Sequence, residues 1–321
     1  MFEIRKFKET DLEFNELARI DNLVNHDSID HPDDDKRDWF LRDKSLVRDR
    51  LLLYDDEIAV GVIYYSQGRE ENCRTAFFTM NIDPKFNVEE SRLLLYNAMR
   101  TEIDKFHCNK IYSNVYEHSN YDLVKNFLIS KHFKHVQTNR EYTCNIKNID
   151  LKKYKPLLNQ LKLAGINFYD SKEEMKDWPN HYEKLEELTW TYHQDFPIPD
   201  GVKHTRTPFK QALKIQKDFE ENYYGTEIVA VKDGRYIGST DLEVYYKSEP
   251  HKAWTNGLGV LKDFRRKGIA TALKIKAIEK LIEKGVIEIR TDNEESNPMY
   301  KINVSIGFEP VPFSLEYMKK I

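Results

Sequence analysis

The residues from Val260 to Leu273, V-L-K-D-F-R-R-K-G-I-A-T-A-L, carry the strongest chemical signal in the chain. An apolar run of Leu258, Val260 and Leu261 meets a basic turn, Arg265-Arg266-Lys267, and then Gly268. Beyond the glycine, Ile269, Leu273, Ala277 and Leu281 recur at four-residue spacing, with Ala270, Ile278 and Ile282 beside them. This spacing predicts a helix with one buried stripe, and Gly285 is placed to end it. The helix then opens inside a cationic loop, where its unpaired N–H groups and positive dipole end already favour an anion. Basic side chains at a helix start oppose the dipole unless an anion is received there. Gly268 lets backbone approach a ligand closely. The place suits a phosphate or pyrophosphate. An exposed, capped helix with a basic first turn is the plainer reading of the same residues.

The loop lacks the three glycines of a dinucleotide fingerprint and the Gly-Lys-Ser/Thr end of a Walker loop. A second stretch narrows the choice. Ile287 to Ile289 reads as a short strand, and T-D-N-E-E-S-N-P-M-Y-K-I-N-V-S-I-G-F follows from Thr291. Ser296 or Asn297 is placed to cap a helix with Pro298 at its first position, and Gly307-Phe308 ends it. The spacing Arg265-x-x-Gly268-x-Ala270 resembles the acyl-coenzyme A pyrophosphate loop of the GNAT superfamily of N-acyltransferases. The pattern Asn297-x-Met299-x-x-x-Asn303-x-x-x-Gly307-Phe308 resembles the second signature of that superfamily, in the variant of mycothiol synthase and its relatives.

The resemblance implies transfer of an acyl group, in the first instance acetyl from acetyl-CoA, to a primary amine that attacks the thioester directly. It implies that Leu258, Gly259 and Val260 hold the pantetheine through backbone hydrogen bonds. Arg265, Arg266, Lys267, Gly268, Ile269, Ala270 and Thr271 would wrap the pyrophosphate, and Asn297 and Asn303 would contact the cofactor. Many relatives place a tyrosine acid four residues before the Gly-Phe pair. Here that position is Asn303, which can hydrogen-bond but not protonate a leaving thiolate, so Tyr300, one turn earlier, is the candidate acid. No carboxylate stands on the strand Ala253–Val260. On the strand before it, Asp241, Glu243 and Tyr245 share one face. Glu243 is the first candidate base and Asp241 the next, the latter also a candidate acceptor contact. Solvated strand-face charges remain the plainer reading of both. The segment from Trp190 to Asp200 mixes aromatic, polar and proline residues, and from it His193 and Asp195 are candidate acceptor contacts. A non-catalytic module that binds acyl-CoA and regulates a partner is the alternative function.

Around these motifs, 321 residues are comfortable for two cores. A net charge of −4 argues against nucleic acid as the main partner. The three cysteines, Cys73, Cys108 and Cys144, lie in the first half with spacing that suits neither a disulfide framework nor a zinc site, so no metal is expected. No apolar run has the length of a membrane span, and M-F-E-I-R-K-F is not a signal peptide pattern. A cytoplasmic monomer or homodimer acting on a small-molecule amine or peptide, without membrane or nucleic acid, is expected.

The two halves also repeat each other. The interval from Asn120 to Asn297 equals that from Asn126 to Asn303. Asn81 to Phe86 parallels Gly259 to Phe264, and Glu141-Tyr142 parallels Glu316-Tyr317. The expected fold is α/β, mixed and α+β-like: two tandem GNAT folds, each a mixed, mostly antiparallel twisted sheet flanked by helices. The expected domains are 1–150, a degenerate first copy, and 151–321, the copy that binds acetyl-CoA. In the first copy the loop reads Asn87-Val88-Glu89-Glu90-Ser91-Arg92, with no glycine and two carboxylates at the helix start. Those carboxylates satisfy the dipole and repel a pyrophosphate, so this copy is expected to be structural support.

Overall fold

The computed structural model describes residues 1–25, 28–70, 74–198, 202–222, 225–245, 247–294, 297 and 299–321. Cys73, Pro199, Asp200, Tyr246, Ser296 and Pro298 lie outside the described residues. The chain forms two compact units. Unit 1 comprises residues 1–140 and 312–321, with a short stretch from 199 to 205, and unit 2 comprises 141–198 and 206–311.

Unit 1 is built from β1 (Phe2–Lys6), α1 (Asp11–Val24), α2 (Pro32–Leu41), β2 (Arg48–Asp55), β3 (Ile58–Gln67), β4 (Thr75–Ile82), α3 (Glu89–Ile103), β5 (Lys110–Tyr116), α4 (Asp122–Ser130) and the first part of β6 (Lys134–Asn145). Unit 2 takes up the end of β6 and adds α5 (Lys155–Leu163), β7 (Ile166–Asp170), α6 (Ser171–Glu174), α7 (His181–His193), α8 (Phe209–Asn222), β8 (Thr226–Lys232), β9 (Arg235–Val244), β10 (Lys252–Val260), α9 (Ile269–Glu283), β11 (Glu288–Glu294), α10 (Tyr300–Ile306) and β12 (Glu309–Pro310). The last strand, β13 (Ser314–Lys320), returns to unit 1.

In unit 1 the strand order is β1-β2-β3-β4-β5-β13-β6. Its pairs are antiparallel except β4 with β5. In unit 2 the order is β6-β11-β10-β9-β8-β7, with β12 on β6 and the pair β10–β11 parallel. Each sheet is therefore mixed and mostly antiparallel.

Glu141-Tyr142 and Glu316-Tyr317, which run parallel in sequence, fall in different units, Glu141 and Tyr142 in unit 2 and Glu316 and Tyr317 in unit 1. Tyr142 pairs with Pro310, while Tyr317 pairs with His135 on one side and Ser113 on the other. The two compact units divide at 140/141, and residues 312–321 belong to unit 1.

The sheet of unit 2 is covered on both faces, as strand alternation demands. Ile228, Ala230, Ile237, Leu242 and Val244 pack with Ile269, Ala272, Leu273, Ala277 and Leu281 of α9. Val229, Val231 and Tyr236 pack with Leu185, Leu188 and Tyr192 of α7. The stripe read from the sequence is the buried face of α9, except that Ile282 is 38% exposed. A residue outside the stripe, Lys274, is buried instead.

Candidate active site

Parallel pairing of β10 with β11 begins at Lys252–Glu288 and ends at Trp254–Arg290. Both strands continue, to Val260 and Glu294, without further register between them among the described residues. The opposite edge of β10 stays paired with β9 as far as Val260–Gly238, with a bulge between Thr255 and Gly257. One edge of β10 from Thr255 onward is thus left without a strand partner among the described residues. An extended ligand with amide groups can pair there as an added strand does.

That open edge leads into the basic loop. Gly268 is the N-cap residue of α9, with φ +82°, and Arg266 is also left-handed at φ +62°. Left-handed residues alternating with right-handed ones turn successive N–H groups to one side and make an anion-binding concavity. A Cβ on Gly268 would be strained at φ +82° and would lie 2.6 Å from Leu157 Cδ1, so that methyl would have to move aside. Arg266 is exposed. Lys267 donates to the Asp263 carbonyl at 2.9 Å and sits 5.3 Å from the Phe264 ring centre. Ile269 is buried, while Ala270 and Thr271 are partly exposed on the first turn.

Arg265 is engaged. Its Nε donates to the Val260 carbonyl at 2.7 Å, and its Nη2 donates to Asp195 Oδ2. Lys262 pairs with the other oxygen of Asp195 at 2.8 Å. These two cations hold the Asp195 carboxyl below the usual range. Asp195, expected to meet a cationic acceptor, is here ion-paired with Arg265 of the loop and with Lys262. His193 ends α7, exposed, with its ring 5.0 Å from that of Phe196.

On the α7 face of the sheet lies a polar cluster. Tyr192 is buried against β10, and a Cβ on Gly259 would fall 2.2 Å from its ring. Its hydroxyl is 3.2 Å from Ser239 Oγ. A Cβ on Gly257 would lie 2.7 Å from Asp241 Oδ1. Asp241 is opposite Glu227 in the ladder between β8 and β9. Burial pushes the Asp241 carboxyl up to about 6. Burial and then the charge of Asp241 push Glu227 up to about 8, and Gln216 donates to Glu227 at 2.9 Å. Ser171, His181 and Tyr236 extend the cluster through contacts of 2.9 and 3.0 Å. Glu243 shares the Asp241 face at the outer end of β9, and Asn256 donates to it at 2.7 Å. Sequence reasoning placed Asp241 and Glu243 on one face but missed Tyr192, Ser239 and Glu227. The two glycines of β10, with no Cβ to fill the space beneath, were the available signal.

On α10, Tyr300 opens the helix and packs, partly buried, on the core shared with α9. Asn297 accepts from the Met299 N–H at 3.0 Å, which fixes the turn into α10. Asn303 is buried, accepts from Lys274 at 2.5 Å and donates to Asn293 at 2.9 Å. In the first copy, α3 is closed by its own residues. Ser91 Oγ accepts from the Val88 N–H at 3.1 Å, and Arg92 folds back to Asn87 Oδ1 at 2.6 Å.

A strand pair that parts beside a glycine-opened cationic helix start is the arrangement on which the family comparison bears. The Acetyltransferase (GNAT) family matches residues 182–303. The match places a GNAT acyltransferase domain within unit 2, over those residues. The fold of the whole chain is similar to that of solved structures that include a tandem GNAT protein. One, from the clavulanic acid biosynthesis pathway, aligns over 100% of this chain and 98% of its own at 16% identity, with a TM-score of 0.76. The GCN5-related N-acetyltransferase from Sphaerobacter thermophilus covers 99% and 95% at 14% identity, TM-score 0.68. The Saccharomyces cerevisiae N-myristoyltransferase with bound myristoyl-CoA and inhibitors covers 99% and 80% at 11% identity, TM-score 0.63. No curated protein matches the chain in sequence. The narrower resemblance to mycothiol synthase finds no support in these likenesses. GNAT enzymes take acyl-CoA as cosubstrate. Among the described residues no helix is long and apolar enough to cross a membrane, and no group of metal-ligating side chains comes together.

Proposed function

We propose that unit 2 transfers an acetyl group from acetyl-CoA to a primary amine of a small molecule or peptide, by direct attack of the amine on the thioester. The observation that carries this is the unpaired edge of β10 running into the left-handed cationic turn at Arg266–Gly268. Leu258, Gly259 and Val260 hold the pantetheine. The first-turn N–H groups of Ile269, Ala270 and Thr271, with Arg266 and Lys267, receive the diphosphate. Arg265 joins them when the ligand displaces Asp195.

Asp241 is the base in this reading. It lies beneath Gly257 of β10, and its raised pKa of about 6 leaves it ionised at neutral pH yet able to accept the ammonium proton. Glu243, at the exposed end of the same face, contacts the acceptor. Tyr300 packs on the core, which makes it a support for α10 rather than the acid. Unit 1, with its α3 start closed, serves as structural support. The test is a mass-spectrometric assay of acetyl-CoA with a panel of polyamine, amino-acid, aminoglycoside and peptide amines. An acetylated product above the uncatalysed rate is expected. Hydrolysis alone with every amine contradicts the reading.

A further inference from the structure

Lys274 is 1% exposed, a rare situation for a lysine. It sits on the buried face of α9, the helix whose first turn forms the anion loop. Its Nζ meets Asn303 Oδ1 at 2.5 Å and lies 4.6 Å from the centre of the Phe308 ring. No carboxylate pairs with it among the described residues. The titratable group that bears on it is the Cys144 thiol of β6, and burial pushes that thiol up to about 11 and keeps it neutral. Around the amine, α10 presents an amide, the segment after it an aromatic face, and β6 a neutral thiol. Burial accordingly drives the Lys274 amine down to about 7.

An ammonium offers only hydrogens. The Asn303 atom that it meets is therefore the oxygen, and the orientation of the amide follows from chemistry. Nδ2 then faces Asn293, which accepts one of its hydrogens at 2.9 Å. The second Nδ2 hydrogen has no acceptor among the described residues. Asn293 belongs to the part of β11 beyond its last pairing with β10, so the line Lys274–Asn303–Asn293 runs from the buried face of α9 to that part of β11.

We propose that Asn303 donates a hydrogen bond to the departing sulfur of the acyl thioester, and that Lys274 is the positioning residue that fixes and polarises its amide. This rests on the reading of unit 2 as the acyl-CoA site. In the step concerned, the acceptor nitrogen forms a bond to the acyl carbon and gives its proton to Asp241. The C–S bond breaks with its electron pair on sulfur, and the thiolate takes a proton from water. Asn303 moves no proton. It supplies a preoriented N–H where negative charge develops, a contribution of the kind worth about 10² to 10³ in rate. Lys274 polarises that N–H most while it is charged.

The experiment compares wild type, Lys274→Met and Asn303→Asp. Thiol release from acetyl-CoA is followed with hydroxylamine as a small acceptor, from pH 6 to 9, and acetyl-CoA binding is measured by calorimetry on the same samples. The carboxylate introduced by Asn303→Asp would still accept from Lys274 and preserve the packing, but it has no N–H to give. Asn303→Asp is expected to lower kcat about 10- to 100-fold with KM for acetyl-CoA within about 2-fold. Lys274→Met is expected to lower kcat about 10-fold at pH 6, with the ratio to wild type shrinking as pH rises through 7. Wild-type kcat in either variant, or a ratio independent of pH, overturns the proposal. A wild-type protein that neither binds acetyl-CoA nor exceeds the uncatalysed rate overturns the site reading itself, and the calorimetric trace tells the two failures apart.

Discussion

Replacing Lys274 by methionine should change stability in a pH-dependent way. The wild-type amine has its pKa lowered from 10.5 to about 7 by burial. The unfolded chain therefore binds the proton more tightly, and the cost to the folded state is complete below about pH 7 and gone above about 10.5. At 1.36 kcal/mol per unit, that cost is about 5 kcal/mol at pH 6 and about 1 kcal/mol at pH 9.5. Methionine fills the same apolar path without a charge. It leaves Asn303 Oδ1 without its donor, a loss of roughly 1–3 kcal/mol at any pH. Lys274→Met is thus expected to be about 2–4 kcal/mol more stable than wild type at pH 6 and equal or less stable at pH 9.5. Urea unfolding followed by tryptophan fluorescence reads this out, because Trp178, Trp190 and Trp254 all lie in unit 2. A stability difference that stays constant between the two pH values would refute a buried, titrating Lys274.

Three further outcomes follow from the same geometry. Asp195→Asn releases Arg265 and Lys262, so acetyl-CoA should bind about 3- to 10-fold tighter at low salt, with the gain shrinking at 0.5 M salt; weaker binding by calorimetry would count against displacement of Asp195 by the ligand. Asp241→Asn should lower kcat by about 10²-fold or more and remove the rise in wild-type rate through pH 6, because the raised carboxyl gains its basic form only above that value; an unchanged profile removes Asp241 from the mechanism. Gly268→Ala should destabilise unit 2 by roughly 2–4 kcal/mol, since φ +82° and the Leu157 methyl both oppose a Cβ; a wild-type melting temperature would contradict this.

The last point marks a limit of the sequence. The spacing Arg265-x-x-Gly268-x-Ala270 identified the loop, and from it Gly268→Glu is expected to abolish cofactor binding with little loss of folding. Leu157 comes from α5, far away in the chain, and its methyl must give way to any side chain at that glycine. Period and turn chemistry placed the strands leading to the loop and the apolar stripe of α9, because these are local properties. Partners across the sheet are not local. The parallel between Glu141-Tyr142 and Glu316-Tyr317 was legible, but which unit each strand joins was not, since the same pattern satisfies either sheet. Lys274 escaped notice for the same reason. A lysine beside a hydrophobic stripe reads as a solvated flank until Asn303 and Phe308 are seen to cover it. Asp195 read as a contact for a cationic acceptor because nothing in its segment reveals Arg265 and Lys262 opposite.

Amide hydrogen exchange with and without acetyl-CoA tests the central claim most directly. The account predicts ligand-dependent protection confined to residues 258–272 of unit 2, with no change over the equivalent segment 83–92 of unit 1. Protection of 83–92, or none at 258–272 under saturating acetyl-CoA, would contradict it.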